Sequence, residues 1–235
     1  MAAAAAWQTI PPPRGRIHHV GRPPDPFYWH TPVALDLEQP SGGRFDDPHG
    51  EYATLYCAST AYGALLEKLS PLRPIPELVA QYDSALDDDV DPEFDHPPTG
   101  AHFPVGFCDT NVMGTASIDS DRCFLDVEDP ENHRLLEQLG GQALLQLLAV
   151  NRIDRGTFTA NDRALTRRIA REIYDQAGED IAGLRYLSAI DADIECWAIW
   201  DRARPDLHHR DIEPFDLTTP DLRSVINFLG FNTPT

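Results

Sequence analysis

Basic residues are scarce in this sequence. Nineteen lysines and arginines stand against thirty-eight aspartates and glutamates in 235 residues, a formal net charge of −19. Nucleic-acid binding draws on a basic face that neutralises phosphates, so direct contact with DNA or RNA is disfavoured, and the same field opposes anionic membrane surfaces. Lysine is almost absent: Lys68 is the only one, and every other basic residue is arginine. Arginine's planar fork suits bidentate recognition of phosphate or carboxylate at a few local points, while most of these side chains read as salt bridges on an acidic surface. No apolar run approaches the ~18 residues that span a bilayer. The alanines after Met1 lack a preceding basic segment and soon meet Trp7-Gln8, so no signal peptide is expected.

Closely spaced cysteines are also missing. Cys57, Cys108, Cys123 and Cys196 lie far apart with no Cys-x-x-Cys pair, which argues against zinc ribbons and thioredoxin chemistry and fits a reducing cytoplasm. Cys57 and Cys196 sit in apolar runs and are expected to be buried. There is no Gly-x-x-x-x-Gly-Lys phosphate loop, no Gly-x-Gly-x-x-Gly after a strand, no Gly-x-Ser-x-Gly elbow and no His-Glu-x-x-His. The histidines include two adjacent pairs, His18-His19 and His208-His209, and neighbours on a strand point to opposite faces. No metal site is expected from them, although a metal-dependent hydrolase using these histidines and the acidic stretch is kept as a reading from another class.

What is present reads as a single mixed α+β domain, with strands in clusters broken by helices. Residues 1–24, rich in alanine, proline and arginine, are expected to form a loose N-terminal arm, with the domain proper over 25–235. Strands are expected over 27–35, 52–58, 102–107, 111–118, 122–127, 183–188 and 194–201, the last in a central position. Helices are expected from a cap at Ser59 or Thr60 through Leu69, from Asp129 onward with an interruption at Gly140-Gly141, from Asn161 or Asp162 to just before Gly178, and from Thr219-Pro220 onward. In the third of these, Leu165, Ile169 and Ile173 form the buried stripe and Arg163, Arg167 and Arg171 a solvent-facing one. Residues 84–100 are acidic and proline-bearing and are expected to be a solvated surface insertion; their aspartates do not follow the calcium-loop pattern.

One ordered set of segments carries chemistry: Gly42-Gly43-Arg44-Phe45-Asp46-Asp47-Pro48, then Leu55-Tyr56-Cys57-Ala58-Ser59, then Ala64-Leu65-Leu66-Glu67, and far downstream Gly183-Leu184-Arg185-Tyr186-Leu187-Ser188. In motif order and approximate spacing, over about residues 25–200, the sequence resembles the RES domain family. That resemblance implies an ADP-ribosyltransferase-like strand core with flanking helices. It also implies consumption of NAD⁺ as substrate by glycohydrolysis, phosphorolysis or ADP-ribosyl transfer, and service as the toxin of a toxin–antitoxin pair neutralised by an Xre-type helix-turn-helix protein. The chain would then be a homo-oligomer or a hetero-oligomer with its antitoxin, and which acceptor it uses is not given by the resemblance.

Physical chemistry gives each residue a role beside a plain alternative. Breaking the nicotinamide–ribose bond builds positive charge on the sugar, and a carboxylate near that carbon stabilises it; Glu67 fits, or is a solvated helix glutamate. Arg44, after two glycines, fits a fork on the dinucleotide's phosphates, or pairs with Asp46 or Asp47. Ser188 fits a hydrogen bond to ribose or phosphate, or caps a turn. Tyr56 offers a flat face to the nicotinamide ring, or is a core strand residue. Many family members place an arginine in the first strand, where this chain has Tyr28-Trp29-His30. Either His30 takes over the ribose contact, with Tyr28 and Tyr56 shaping the pocket, or Arg44 is the one arginine left, or the chain is a catalytically decayed NAD-binding module of the same fold.

Overall fold

The computed structural model describes residues 7–34, 42–73, 102–160 and 162–232. The acidic stretch 84–100 lies outside them. Among the described residues, one mixed sheet is built from β1 (Thr9–Ile10), β2 (Ile17–Gly21), β3 (Thr54–Ala58), β4 (Val112–Ile118), β5 (Cys123–Asp126), β6 (Ile181–Leu187), β7 (Glu195–Trp200) and β8 (Leu207–Glu213). The spatial order is β1-β5-β6-β7-β3-β2-β4-β8. Only β5 and β6 run parallel; the other neighbours are antiparallel. The flanking helices are α1 (Ala61–Leu69), α2 (Phe107–Thr110), α3 (Pro130–Leu148), α4 (Arg155–Thr159), α5 (Arg163–Ala177) and α6 (Pro220–Leu229).

Burial explains the placement of β7. Its Cys196, Trp197, Ala198, Ile199 and Trp200 are all enclosed, a run without polar alternation that only a strand covered on both faces can carry. Cys196, Ala198 and Trp200 join the larger core with Leu65, Leu66, Leu69, Ile169 and Ile173. Trp197 and Ile199 face the smaller core with Ile17, Phe27, Leu55, Cys57 and Phe124. Burying each such aliphatic or aromatic side chain stabilises the fold by roughly 1.5–3 kcal/mol before chain entropy is set against it. The sheet therefore separates two cores, and α1 lies on the larger one, packed over β2 and β3 and against α6.

Several expectations are corrected. Residues 1–24 are not wholly a loose arm: β1 pairs with β5, and β2 lies inside the sheet between β3 and β4 with Ile17 and Val20 buried. The polar pair His18-His19 conceals this strand, whose pairing is supplied by β4 rather than by its own apolar pattern. The strand expected over 27–35 does not form over its described residues 27–34. Phe27 and Trp29 are buried, but prolines at 26 and 32 withhold donors from any ladder, so the segment packs its rings without pairing. Near 102–107 there is only an isolated bridge from His102 to Asn232, followed by the short α2. Gly140-Gly141 does not interrupt α3. Two helical glycines cost about 1 kcal/mol each, and burial of Leu136, Leu144 and Leu148 on the same helix offsets that.

Helix ends follow their caps. Thr60 accepts the Gly63 amide at the start of α1, Asp129 opens α3 and Asp162 opens α5, each through its side-chain oxygen. Cys57 and Cys196 are buried, as their apolar surroundings require, and burial pushes both thiols well above their ordinary range.

Candidate active site

α1 and β6 bring Glu67 and Ser188 together. The hydroxyl of Ser188 donates to Glu67 Oε1 at 2.5 Å. Its oxygen also accepts the amides of Ile190 (3.1 Å) and Asp191 (3.4 Å). A hydroxyl has one proton to give, so with two amides on its lone pairs that proton is directed at the carboxylate. Ser188 therefore caps its turn and orients Glu67 at once. It is 1% exposed, and its backbone amide is held by the carbonyl of Ile194. Glu67 is half-buried in the last turns of α1, while its neighbour Lys68 is exposed.

Tyr186 on β6, two residues before Ser188, touches the Arg44 turn through Phe45. It lies opposite Cys196 across the β6–β7 ladder and meets the Phe45 ring edge-to-face at 5.0 Å. Burial raises its hydroxyl pKa well above the ordinary value; the Cys196 thiol and Glu67 push the same way, while Arg44 opposes them. Tyr186 thus feels both Glu67 and Arg44 and remains a neutral group.

Arg44 leaves a tightly braced turn. Asp46 accepts the Tyr56 hydroxyl at 2.7 Å on one oxygen and the Gly43 amide on the other. The Tyr56 oxygen accepts the amide of Phe45 at 2.8 Å. Asp47, with no exposed side-chain surface, accepts the amides of His49, Glu51 and Tyr52 and faces Arg171 at 3.4 Å. Both carboxylates that stood as partners for Arg44 are thereby committed elsewhere. Among the described residues, no hydrogen bond or ion pair engages the half-buried Arg44 guanidinium. Gly43 must be glycine because a Cβ there would meet the Tyr56 ring at 2.3 Å. Tyr56 itself is a brace of this turn, with its hydroxyl used up, and its ring edge against Gly43.

Among the described residues, no hydrogen bond joins Glu67 or Ser188 to Tyr28 or His30. Both are exposed, Tyr28 at 57%, and their rings meet edge-on at 5.4 Å. On the side of β3 away from β7 lies β2, which carries His18-His19. β2 and β3 share a single register pair, His18 with Ala58, and where the ladder ends the His19 ring bridges it by donating Nδ1–H to the carbonyl of Tyr56 at 2.6 Å. Burial lowers the His19 pKa to about 4, with Lys68 and His30 adding to the effect against the Tyr56 carbonyl. The His19 ring lies against Phe27 of the smaller core. The two histidine rings do face apart, His18 meeting Thr115 at 3.4 Å.

Composition hid two further features. Arg167 is fully buried and Arg171 is only 17% exposed on its side chain, so the arginine stripe of α5 is not solvent-facing; it docks against the 42–52 loop. On the opposite face of β7, Glu195 accepts Ser59 at 2.7 Å and Arg185 at 3.0 Å, and Arg185 reaches Asp126 at 3.2 Å. Among the described residues, no three histidine, cysteine or carboxylate side chains converge as a metal site would require, and no helix is long and apolar enough to cross a membrane.

Comparison with known proteins gives three findings. No curated protein matches the sequence. A solved structure described as the crystal structure of the M. tuberculosis MbcT–MbcA toxin–antitoxin complex aligns at 10% identity and a TM-score of 0.43, covering 90% of this chain and 84% of that one. The model of the RES domain matches residues 16–223, nearly the whole sequence, and this chain belongs to the RES domain family.

Proposed function

We propose that this chain cleaves the nicotinamide–ribose bond of NAD⁺ and acts as the toxin of a toxin–antitoxin pair. The observation that carries the reading is the Ser188–Glu67 hydrogen bond, which aims a half-buried carboxylate from a distant helix at the end of β6. In the reaction the C1′–nitrogen bond breaks and its electron pair leaves with nicotinamide, neutralising the pyridinium. Positive charge gathers on the ribose, and a fixed carboxylate stabilises it without reorganising. Glu67 supplies that carboxylate. Buried Tyr186 and half-buried Tyr56 stay neutral at physiological pH, so neither competes with Glu67 as an anion. Arg44, with no partner among the described residues, binds the dinucleotide's phosphates as a planar fork. Tyr28 and His30, at the exposed margin, meet the outer part of the substrate.

The incoming nucleophile decides the reaction class. Water gives ADP-ribose and a released proton, inorganic phosphate gives the phosphorylated sugar, and a protein side chain gives a modified protein. Incubation of the purified chain with NAD⁺, in water, with phosphate and with cell extract, tests the proposal by free nicotinamide and identification of the second product. Nicotinamide release with a matching loss in Glu67→Gln supports it; absence of release under all three conditions overturns it. Cleavage of this kind depletes a host cofactor, so a neutralising partner follows, and family resemblance favours an Xre-type helix-turn-helix antitoxin. A net charge of −19 leaves any DNA contact to that partner.

A second reading is a module that binds NAD⁺ without turning it over. It is favoured by Tyr28-Trp29-His30, which stand where many family members place an arginine. Calorimetric binding of NAD⁺ with no product distinguishes it.

A further inference from the structure

The α5 arginines account for a feature that the reaction alone leaves open: how a turn with two glycines holds one fixed direction for Arg44. We propose that Arg167 is a positioning residue that sets the peptide plane from which Arg44 departs. This rests on the proposed function only for what Arg44 touches.

Arg167 is 0% exposed in the middle of α5. Its Nε donates to the carbonyl of Gly43 at 3.0 Å. One turn earlier on the same helix, Arg163 donates to the carbonyl of Gly42. One turn later, Arg171 holds Glu51 at 2.6 Å and faces Asp47. Residues four apart share one helix face, so a single stripe grips the loop at three successive points. A buried guanidinium is costly to desolvate unless its donors are used, and here Nε is spent on the main-chain carbonyl of Gly43, an atom that defines peptide orientation.

The geometry points to a consequence for Arg44. A trans peptide is planar, with its carbonyl and the next amide on opposite sides. Fixing the Gly43 carbonyl toward α5 therefore turns the Arg44 amide away from that helix. On the other side of the turn, Asp46 takes the Gly43 amide and Tyr56 takes the Phe45 amide. Arg44 is thus flanked by peptides pinned from α5 and from β3. Arg167 Nη2 and Asp46 Oδ2 also crowd Gly42, lying 3.0 and 2.7 Å from where its side chain would begin, so the clamp closes around the backbone itself. A lysine keeps the charge but not the fork.

Arg167→Lys is the test. We expect the KM for NAD⁺ to rise about tenfold with kcat changed less than about twofold, because the lost interaction is phosphate binding shared by ground and transition states. Amide exchange at residues 43–46 accelerates about tenfold while that of β3 and the rest of α5 is unchanged. In an Arg44→Ala background, Arg167→Lys adds no further loss. Unchanged exchange at 43–46, or losses that add to those of Arg44→Ala, overturns the proposal. Should the unaltered chain release no nicotinamide, the functional reading fails and the exchange comparison alone decides whether Arg167 holds the turn. Should Arg167→Lys fail to fold, Arg163→Ala, at a more exposed site, is expected to accelerate exchange at the same residues to a lesser degree; no change there is the contrary result.

Discussion

Ser188 and Glu67, 121 positions apart, are joined by a 2.5 Å hydrogen bond in which the serine is the donor. The serine oxygen simultaneously accepts two amides of its own turn. The carboxylate is therefore oriented by a group that is itself immobilised, an arrangement suited to stabilising charge that develops during a reaction.

Removing the charge but keeping the shape separates chemistry from folding. Glu67→Gln is expected to lower kcat for nicotinamide release by ~10²–10⁴-fold with little change in melting temperature, since the amide oxygen still accepts from Ser188. Ser188→Ala is expected to lose less activity but more stability, because two turn amides lose their acceptor. Steady-state kinetics beside calorimetric melting checks both.

Tyr56→Phe deletes one oxygen that serves two partners. The Phe45 amide loses its acceptor and Asp46 loses a donor. Urea unfolding is expected to show a loss of about 1–3 kcal/mol, with a rise in KM exceeding any fall in kcat because the damage falls on the Arg44 turn.

Gly183→Ala tests a motif glycine. A Cβ at this position would lie 2.1 Å from the carbonyl oxygen of Ala198 on the neighbouring strand. That is a backbone obstacle at the centre of the sheet, so the variant is expected to lose about 3 kcal/mol or more and to express poorly. A Gly183→Ala protein with an unchanged urea midpoint refutes the close approach.

Acid sensitivity should reveal His19. Burial depresses its folded pKa to about 4, so from there up to its ordinary value near 6.5 the unfolded chain binds the extra proton and stability rises with pH. That contribution is complete above about pH 6.5 and falls away as pH drops toward 4, a loss of about 2 kcal/mol between pH 7 and 5. His18, lowered chiefly by burial, adds in the same direction. His19→Asn, which retains a donor for the Tyr56 carbonyl, is expected to flatten the pH dependence of the urea midpoint over this range.

Elements with their own apolar rhythm or cap were legible in the sequence. β7 announced itself by five consecutive enclosed residues, α5 by Leu165, Ile169 and Ile173 between Asp162 and Gly178, and α6 by its Thr219-Pro220 start. β2 did not, because its place in the sheet comes from its partner β4 while its own middle is two histidines. Phe27 and Trp29 misled in the opposite sense: aromatic content signals burial, and only pairing makes a strand. At the candidate site, motif order brought forward Arg44, Tyr56, Glu67 and Ser188. It did not show that Asp46 and Asp47 are committed to other partners, which depends on hydrogen bonds from the loop's own amides and Tyr56, or that an arginine stripe is buried, which depends on a long-range contact between α5 and the 42–52 loop.

The order of the strands also governs when the candidate site can form. Glu67 follows β3 and Ser188 follows β6, yet β3 and β6 do not touch; β7, made after both, is the strand that spaces them. A ribosome-tethered fragment lacking residues 195–200 therefore has no scaffold on which to join serine to glutamate, however well its earlier portions have folded. The serine–glutamate pair is thus assembled late, only once residues 195–200 have taken their place between the two strands.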